Sequence, residues 1–220
     1  MITKKEHIEQ LFEMIAEFVP VECTLFMIGG GALMTRALKN YTKDVDLVTK
    51  DDASYIMVDN ALKEAGFKPT IPGDEYSRLE LSNIYVKDEF RVDLFSTRVC
   101  HKLSLSDGMV QRADFYGQFG RIRLMICSLE DILLFKSITE REGDYEDCKN
   151  ICRSSIDWDA VLDESVSQSK DEHEVWITYI CGCLMRLSED GYHIPILDSI
   201  KRMNDAFMKN WIEKLENYRD

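Results

Sequence analysis

The sequence predicts an α/β fold in which a small mixed β-sheet is flanked by helices and followed by a C-terminal helical region. Two observations carry this prediction. Apolar runs of strand length alternate with helix-like segments as far as residue 127, and only helical patterns follow beyond that point. We therefore predict two parts in the 220-residue chain, an α/β core at residues 1–127 and a helical region at residues 128–220.

The first half of the core is predicted to alternate helix, strand, helix and strand. Residues 3–18 carry apolar side chains at helical spacing, and Cys23–Ile28 is an apolar run too short to be a helix. The glycines Gly29–Gly31 permit a tight turn, after which Ala32–Leu38 has the composition of a helix. Residues 44–48 then show the alternation of a strand, so the glycine turn follows one strand and precedes another.

The rest of the chain is interpreted from the same patterns. A helix is predicted from Asp51 or Asp52 to Ala65, where Gly66 stops it. Further strands are predicted at residues 67–70, 78–81, 84–86, 90–95 and 121–127, the second and third of them forming a hairpin. Later helices are predicted at residues 128–141, 144–152, 158–166, 172–187 and 196–218.

Three aspartates stand on predicted strands at positions that can converge. Alternate side chains of a strand share a face, so Asp44 and Asp46 point the same way, about 6–7 Å apart along the backbone. Asp93 lies in the alternating run Phe90–Phe95, which predicts a neighbouring strand. Three carboxylates that gather without cations repel one another, and their oxygens suit hard divalent ions. The pattern predicts a metal site, and the alternative is that nearby amides or lysines satisfy these acids.

These motifs together resemble the nucleotidyltransferase superfamily, which has the polymerase-β-like fold. The signature of that superfamily is a strand, a Gly-Gly or Gly-Ser turn that opens a helix, a D-x-D strand and a later strand with a single Asp. All four parts occur here in order. A Lys-x4-Arg-x2-Asp-x2-Asp run follows at Lys136, Arg141, Asp144 and Asp147, and it is most similar to the toxin-type and related minimal nucleotidyltransferases.

The resemblance implies transfer of a nucleoside monophosphate from a Mg²⁺-bound NTP to an acceptor hydroxyl, with release of pyrophosphate. Asp44 and Asp46 would bridge two Mg²⁺ ions and hold the triphosphate, and Asp93 would bind the ion that activates the acceptor. The implied acceptors are an RNA 3′ end, a protein side chain or a small molecule such as an aminoglycoside, and analogy alone supports each of them.

Nucleotide-binding residues are implied at the glycine turn and in the helical region. Gly29 and Gly30 would lie against the triphosphate. Many relatives carry Ser at the second of these positions, and here backbone amides and the helix N-terminus would serve instead. Lys136, Asp144 and Asp147 match the motif that helps to hold the nucleotide, although the two acids also have the spacing of a helix cap.

Two features leave alternatives open. Arg36 falls one turn into the predicted helix, where a guanidinium can clamp phosphate oxygens or can equally be a surface arginine. The glycine turn could also belong to a dinucleotide-binding loop, but that fingerprint needs a small residue where Met34 stands, and one acid where this sequence has an alternating pair, so the nucleotidyltransferase interpretation is preferred. A binding or regulatory module without turnover is the alternative to an enzyme, and an NTP sensor or hydrolase on the same scaffold is a third hypothesis.

Composition limits the partners and the compartment. The net charge of −13 argues against broad coating of nucleic acid, although the segment Arg98–Arg123 has a local excess of basic side chains. Seven irregularly spaced cysteines suit reduced thiols and a cytoplasmic location, and they lack the spacing of a zinc site. No apolar stretch reaches the length of a membrane span, so we predict no membrane partner.

Overall fold

A seven-stranded mixed sheet organises the first of two units. The computed structural model describes residues 1–70, 83–169 and 175–217, and the chain divides into Met1–Ser128 and Leu129–Asp220. The strands are β1 Cys23–Ile28, β2 Val45–Val48, β3 Lys68–Thr70, β4 Asn83–Lys87, β5 Phe90–Phe95, β6 Arg98–Val99, β7 Leu103–Ser104, β8 Asp114–Phe119 and β9 Ile122–Ile126. The helices are α1 Lys5–Ala16, α2 Gly29–Thr35, α3 Asp52–Glu64, α4 Asp107–Arg112, α5 Leu129–Ser137, α6 Glu142–Cys152, α7 Trp158–Gln168, α8 Trp176–Glu189 and α9 Leu197–Asn217.

The strand order of the large sheet places the predicted site strands at its centre. The order is β3-β4-β5-β2-β1-β9-β8, and β6 and β7 form a separate two-stranded ribbon. Strand β2 is antiparallel to β1 and parallel to β5, while β1 is parallel to β9. The prediction of an α/β fold with a small mixed sheet and flanking helices is therefore confirmed.

Local sequence signals explain several of these elements. The apolar stripe of α1, formed by Ile8, Leu11, Phe12 and Ile15, is completely buried. Helix α3 begins where the side chain of Asp51 accepts a hydrogen bond from the Ser54 amide at 2.7 Å, which is the expected N-cap. It ends at Glu64, two residues before Gly66, whose φ is +89°. These signals lie within the segment itself, so the sequence was sufficient to find them.

Other boundaries differ from the sequence-based predictions. Helix α2 already begins at Gly29, so the glycines form its first turn rather than preceding it. The helix predicted at residues 128–141 ends at Ser137, and Thr139 folds back so that its backbone amide donates to the Lys136 carbonyl at 3.4 Å. The predicted strand at residues 78–81 lies outside the described residues, and β4 pairs with β3 and β5 instead.

The seven cysteines and the helices add two general findings. All seven cysteines lie in the described ranges as free thiols, and five of them are buried. None of the helices in the described part of the chain combines the length and apolar character that crossing a membrane requires.

Candidate active site

Asp46 and Asp93 lie side by side on the neighbouring parallel strands β2 and β5. They are register partners, so their side chains share a face and their backbones are about 4.8 Å apart. Ile28 is the partner of Asp46 on one side, and Ile84 is the partner of Asp93 on the other. The Asp93 side chain is only 5% exposed. Two of the three acids singled out from the sequence therefore meet between apolar neighbours at the centre of the sheet.

The glycine turn lies directly against this acid pair. Gly29 has a φ of +67°, in the left-handed region that side chains disfavour. A Cβ built on Gly29 would fall 1.9 Å from Oδ2 of Asp46. Only glycine allows the backbone to pass so close to the carboxylate, and β1 therefore delivers the turn to the site that β2 and β5 form.

Asp44 immediately precedes β2, and Thr42 holds its backbone. The Thr42 hydroxyl donates to the Asp44 carbonyl at 2.9 Å and lies 3.5 Å from Oδ1 of the same residue. A Cβ at Gly30 would fall 2.6 Å from this hydroxyl oxygen and 3.5 Å from Nζ of Lys39. The absence of a side chain at Gly30 thus makes room for a hydroxyl and an ammonium group that the following loop supplies.

Arg91 is the residue of this cluster that the motif analysis did not identify. Its guanidinium donates from Nε to Oδ1 and from a terminal nitrogen to Oδ2 of Asp93, both at 2.7 Å. Its Nε also lies 3.8 Å from Oδ2 of Asp44. The sequence did contain a signal for this arrangement, because Arg91 stands two positions before Asp93 on one strand and must share its face.

The carboxylates of this cluster offer the kind of oxygen ligand that Mg²⁺ prefers. Mg²⁺ prefers oxygen ligands from one or two carboxylates together with substrate phosphates. As the side chains stand, no group of three His, Cys, Asp or Glu residues in the described ranges is arranged to hold an ion. A guanidinium instead contacts Asp93 and approaches Asp44. The cluster thus attracts positive charge and offers only hard oxygen ligands, and on both counts it fits Mg²⁺.

Arg36 is tied to the edge strand β8. It stands at the C-terminal end of α2. Its guanidinium donates to Oδ2 of Asp114 at 2.8 Å and to the carbonyl of Cys127 at 2.9 Å. Asp114 begins β8, which is three strands away from β2 in the sheet. A phosphate contact from Arg36 would require the side chain to leave these partners.

In the second unit, Lys136 is the centre of a buried ion network. Its Nζ lies 2.5 Å from Oδ1 of Asp144 and 3.1 Å from Oδ2 of Asp147. Arg141 and Thr139 both donate to the other oxygen of Asp144, at 2.6 and 2.7 Å. The structure therefore brings together all four residues of the Lys-Arg-Asp-Asp motif. Asp144 lies inside α6 and accepts these side-chain bonds, while the N-cap position belongs to Arg141.

The charge balance of this network lowers the pKa of Asp144. Burial alone would raise the pKa, but the charges of Lys136 and Arg141 outweigh it, together with the hydrogen bonds from Lys136 and Thr139. Asp144 is therefore ionised at neutral pH, and the network contains two buried carboxylates for one buried ammonium group.

A cavity of about 490 Å³ lies beside the network. Lys136, Arg141 and Arg186 contribute cationic groups to its lining. The guanidinium of Arg186 stacks on the ring of Tyr145, 3.6 Å from its centre, and pairs with both carboxylate oxygens of Glu142 at 2.9 and 3.0 Å. Cations and an aromatic ring in one cavity suit an anionic ligand that carries a flat group.

No family model matches the sequence, and no curated protein matches it significantly. Solved structures do match. The crystal structure of ANT(2'')-Ia in complex with adenylyl-2''-tobramycin aligns with a TM-score of 0.50 and 12% identity, over 75% of this chain and 98% of that chain. The solution structure of the antibiotic-resistance factor ANT(2'')-Ia aligns with a TM-score of 0.49 and 12% identity, over 76% of this chain and 92% of that chain.

The sheet topology and the structural match together identify the fold of the chain. It is an α/β protein in which a mixed sheet carries paired aspartates beside a glycine turn. The match to ANT(2'')-Ia, at a TM-score of 0.50 and 12% identity, shows that the chain shares the fold of that protein. The resemblance drawn from the sequence motifs is confirmed at the level of the fold.

Proposed function

We propose that this protein is a Mg²⁺-dependent nucleotidyltransferase, which moves a nucleoside monophosphate from an NTP to an acceptor hydroxyl and releases pyrophosphate. The observation that carries the proposal is the pairing of Asp46 with Asp93 directly beside Gly29. Paired carboxylates can hold the ions that accompany a triphosphate, and a glycine turn leaves space for phosphate groups to approach the backbone.

The three carboxylates have distinct proposed roles. Asp44 and Asp46 face the triphosphate, Asp93 faces the acceptor hydroxyl, and together they are the proposed ligands of two Mg²⁺ ions. When bound there, Mg²⁺ would neutralise phosphate charge and lower the pKa of the acceptor hydroxyl. The acceptor oxygen forms a bond to the α-phosphorus as the bond from that phosphorus to the pyrophosphate oxygen breaks, and the hydroxyl proton passes to solvent water. Thr42 keeps Asp44 in place through the hydrogen bond to its carbonyl.

Nucleotide contacts are proposed at the glycine turn and at Lys136. In the first unit, Gly29 and Gly30 lie beside the acids and are the proposed phosphate contacts of the backbone. In the second unit, Lys136 is a proposed phosphate ligand, and Asp144 and Asp147 hold its ammonium group in position. A lysine suits this role because its ammonium group is a compact point charge.

Pyrophosphate release tests the proposed reaction. The protein is incubated with Mg²⁺ and each of the four labelled NTPs in turn, and pyrophosphate and labelled products are quantified. We expect release with the wild-type protein and a loss of at least about 100-fold in Asp93→Asn, since even outer partners of metal ligands contribute up to that factor. The affinity for nucleotide should be largely retained, because Asp44 and Asp46 remain. Normal turnover in Asp93→Asn would remove that residue from the mechanism.

The same assay separates the alternatives. Three acceptor classes are supplied in parallel: RNA with a free 3′ end, a protein mixture and a panel of aminoglycosides. Label on one class identifies the acceptor. Pyrophosphate without labelled acceptor would indicate an NTP hydrolase or sensor, and nucleotide binding without any pyrophosphate would indicate a regulatory module with this fold.

A further inference from the structure

Arg91 lies among the acids of the candidate active site rather than on a separate surface. It donates to both carboxylate oxygens of Asp93 at 2.7 Å, and its Nε lies 3.8 Å from Asp44. A guanidinium that engages both oxygens of one carboxylate forms one of the strongest ion pairs between side chains. Arg91 therefore supplies positive charge at the place where the proposed reaction needs a metal ion.

The two partners differ in their exposure. The side chain of Asp93 is 5% exposed, whereas that of Arg91 is 24% exposed. A carboxylate as buried as Asp93 needs a charged partner, because an unpaired buried charge is strongly unfavourable. The long side chain of Arg91, by contrast, has access to solvent, so the guanidinium can leave the acid without a rearrangement of the strand that carries it.

A metal ion and the guanidinium cannot share Asp93 without penalty. Both carboxylate oxygens already accept N–H groups of Arg91. Arginine keeps its charge at every pH that a protein survives, so it cannot avoid the repulsion by losing a proton. A divalent ion at Asp93 would lie within a few ångströms of that charge. Binding of the ion and the Arg91–Asp93 pair are therefore competing states of one cluster.

We propose that Arg91 is an internal counter-ion, which competes with a divalent metal ion for Asp93 and Asp44 and has to leave these acids before the ion can bind. Arg91 stabilises the cluster while no metal is bound, and it lowers the affinity of the cluster for metal by the strength of its own ion pair. This inference rests on the proposed function, because it takes the three acids to be metal ligands.

Binding of Mn²⁺ alone, without nucleotide, tests the inference by isothermal titration calorimetry and by the electron paramagnetic resonance signal of the free ion. We expect Arg91→Met to bind Mn²⁺ about 10- to 100-fold more tightly than the wild type. Losing hydrogen bonds to a charged group changes an equilibrium constant by about that factor. The metal-free variant should melt at a lower temperature than the wild type, and saturating Mn²⁺ should raise its melting temperature by more.

Arg36→Met is the matched control. The Arg36 side chain has the same exposed fraction of 24% and also pairs with a carboxylate at 2.8 Å, but that carboxylate is Asp114. We expect its Mn²⁺ affinity to stay within about twofold of the wild type, because Arg36 pairs with a carboxylate on β8, three strands from β2, and not with an acid of the cluster. Arg91→Lys keeps the positive charge but cannot form the bidentate hydrogen bonds to Asp93. Its affinity for Mn²⁺ should therefore fall between those of the wild type and Arg91→Met.

A second measurement uses the wild-type protein and does not depend on the folding of a variant. The Nε–H of Arg91 donates to Asp93 at 2.7 Å, so we expect its exchange with solvent to be slow enough for its proton resonance to be followed by NMR. Titration with Mg²⁺ should abolish that protection. Persistent protection at saturating Mg²⁺ would overturn the inference, because the ion would then bind without displacing the guanidinium.

The outcomes separate this inference from the proposed function. If the wild type binds Mn²⁺ and releases pyrophosphate, but Arg91→Met binds Mn²⁺ no more tightly, Arg91 is only structural and the inference alone fails. If neither protein binds Mn²⁺ and the wild type releases no pyrophosphate with any NTP, the proposed function fails and the inference fails with it.

Discussion

Gly29 passes so close to Asp46 that a Cβ on the glycine would fall 1.9 Å from the Asp46 carboxylate. The same residue has a φ of +67°, and both facts require glycine. We predict that Gly29→Ala displaces Asp46, abolishes pyrophosphate release and destabilises the protein by at least about 1 kcal/mol, the strain of a left-handed non-glycine residue. Urea unfolding and the pyrophosphate assay measure the two effects.

Gly143→Ala is the control for this substitution. A Cβ at Gly143 meets nothing within 4 Å, and the residue lies in the first turn of α6. Alanine there should be neutral or stabilising by up to about 1 kcal/mol, because alanine has the higher helix propensity. Equal losses from the two substitutions would show that close approach to Asp46 is not the reason for Gly29.

A second prediction concerns Lys136, which has a structural role in addition to its proposed phosphate contact. Lys136→Met leaves Asp144 and Asp147 buried without their shared cation. We expect the free energy of unfolding of the second unit to fall by about 3–5 kcal/mol, as happens when one partner of a buried ion pair is removed. The triple variant Lys136→Met, Asp144→Asn, Asp147→Asn should recover much of this loss. Unchanged stability in Lys136→Met would leave only the phosphate role.

The lowered pKa of Asp144 predicts how this contribution depends on pH. A carboxyl group whose pKa is lower in the folded state than its ordinary value of 3.8 stabilises the fold above 3.8. That stabilisation is lost as the pH falls below 3.8 and through the lower pKa of the folded state. Urea unfolding from pH 6 down to the acid limit should show the wild type losing its advantage over Asp144→Asn in that window. A constant difference between the two proteins would contradict the lowered pKa.

Whether Arg36 contacts phosphate can be tested by comparing variants of Arg36 with variants of its partner Asp114. If Arg36 contacts phosphate during the reaction, Arg36→Met should raise the KM for NTP several-fold, whereas Asp114→Asn should leave it unchanged or lower it by freeing the guanidinium. Stability should change by no more than about 1 kcal/mol in either variant, because Asp114 is 67% exposed and surface ion pairs contribute little. Equal kinetic effects of the two variants would show that the pair only fastens β8.

The sequence predicted the elements whose signals are local. The strand at Cys23–Ile28, the Asp51 cap and the apolar stripe of α1 each depend on a few neighbouring residues, and the structure contains all of them. The convergence of Asp46 and Asp93 was also predictable in kind, since both lie on strands of one sheet. Their parallel register was not, because it is set by pairing between distant segments.

Side-chain partners were the part that local patterns could not supply. The partners of Arg36 lie 78 and 91 residues away in the chain, so no local pattern could have linked them to it. The end of α5 at Ser137 depends on the turn that carries Thr139 to Asp144. For Arg91, one part was predictable and one was not. Because it stands two residues before Asp93 on a strand, its side chain had to share a face with Asp93. Its hydrogen bond to Asp93 depends on the side-chain rotamer, which local patterns do not determine.

The central claim is that Asp44, Asp46 and Asp93 hold the metal-bound triphosphate. The most direct measurement is a crystal structure with Mn²⁺ and a non-hydrolysable NTP, in which the anomalous signal locates the ions. We predict peaks about 2.1 Å from carboxylate oxygens of Asp44, Asp46 and Asp93, with the α-phosphate beside Gly29 and Arg91 moved away from the acids. Ions and nucleotide bound elsewhere, with Arg91 still paired to Asp93, would contradict the account.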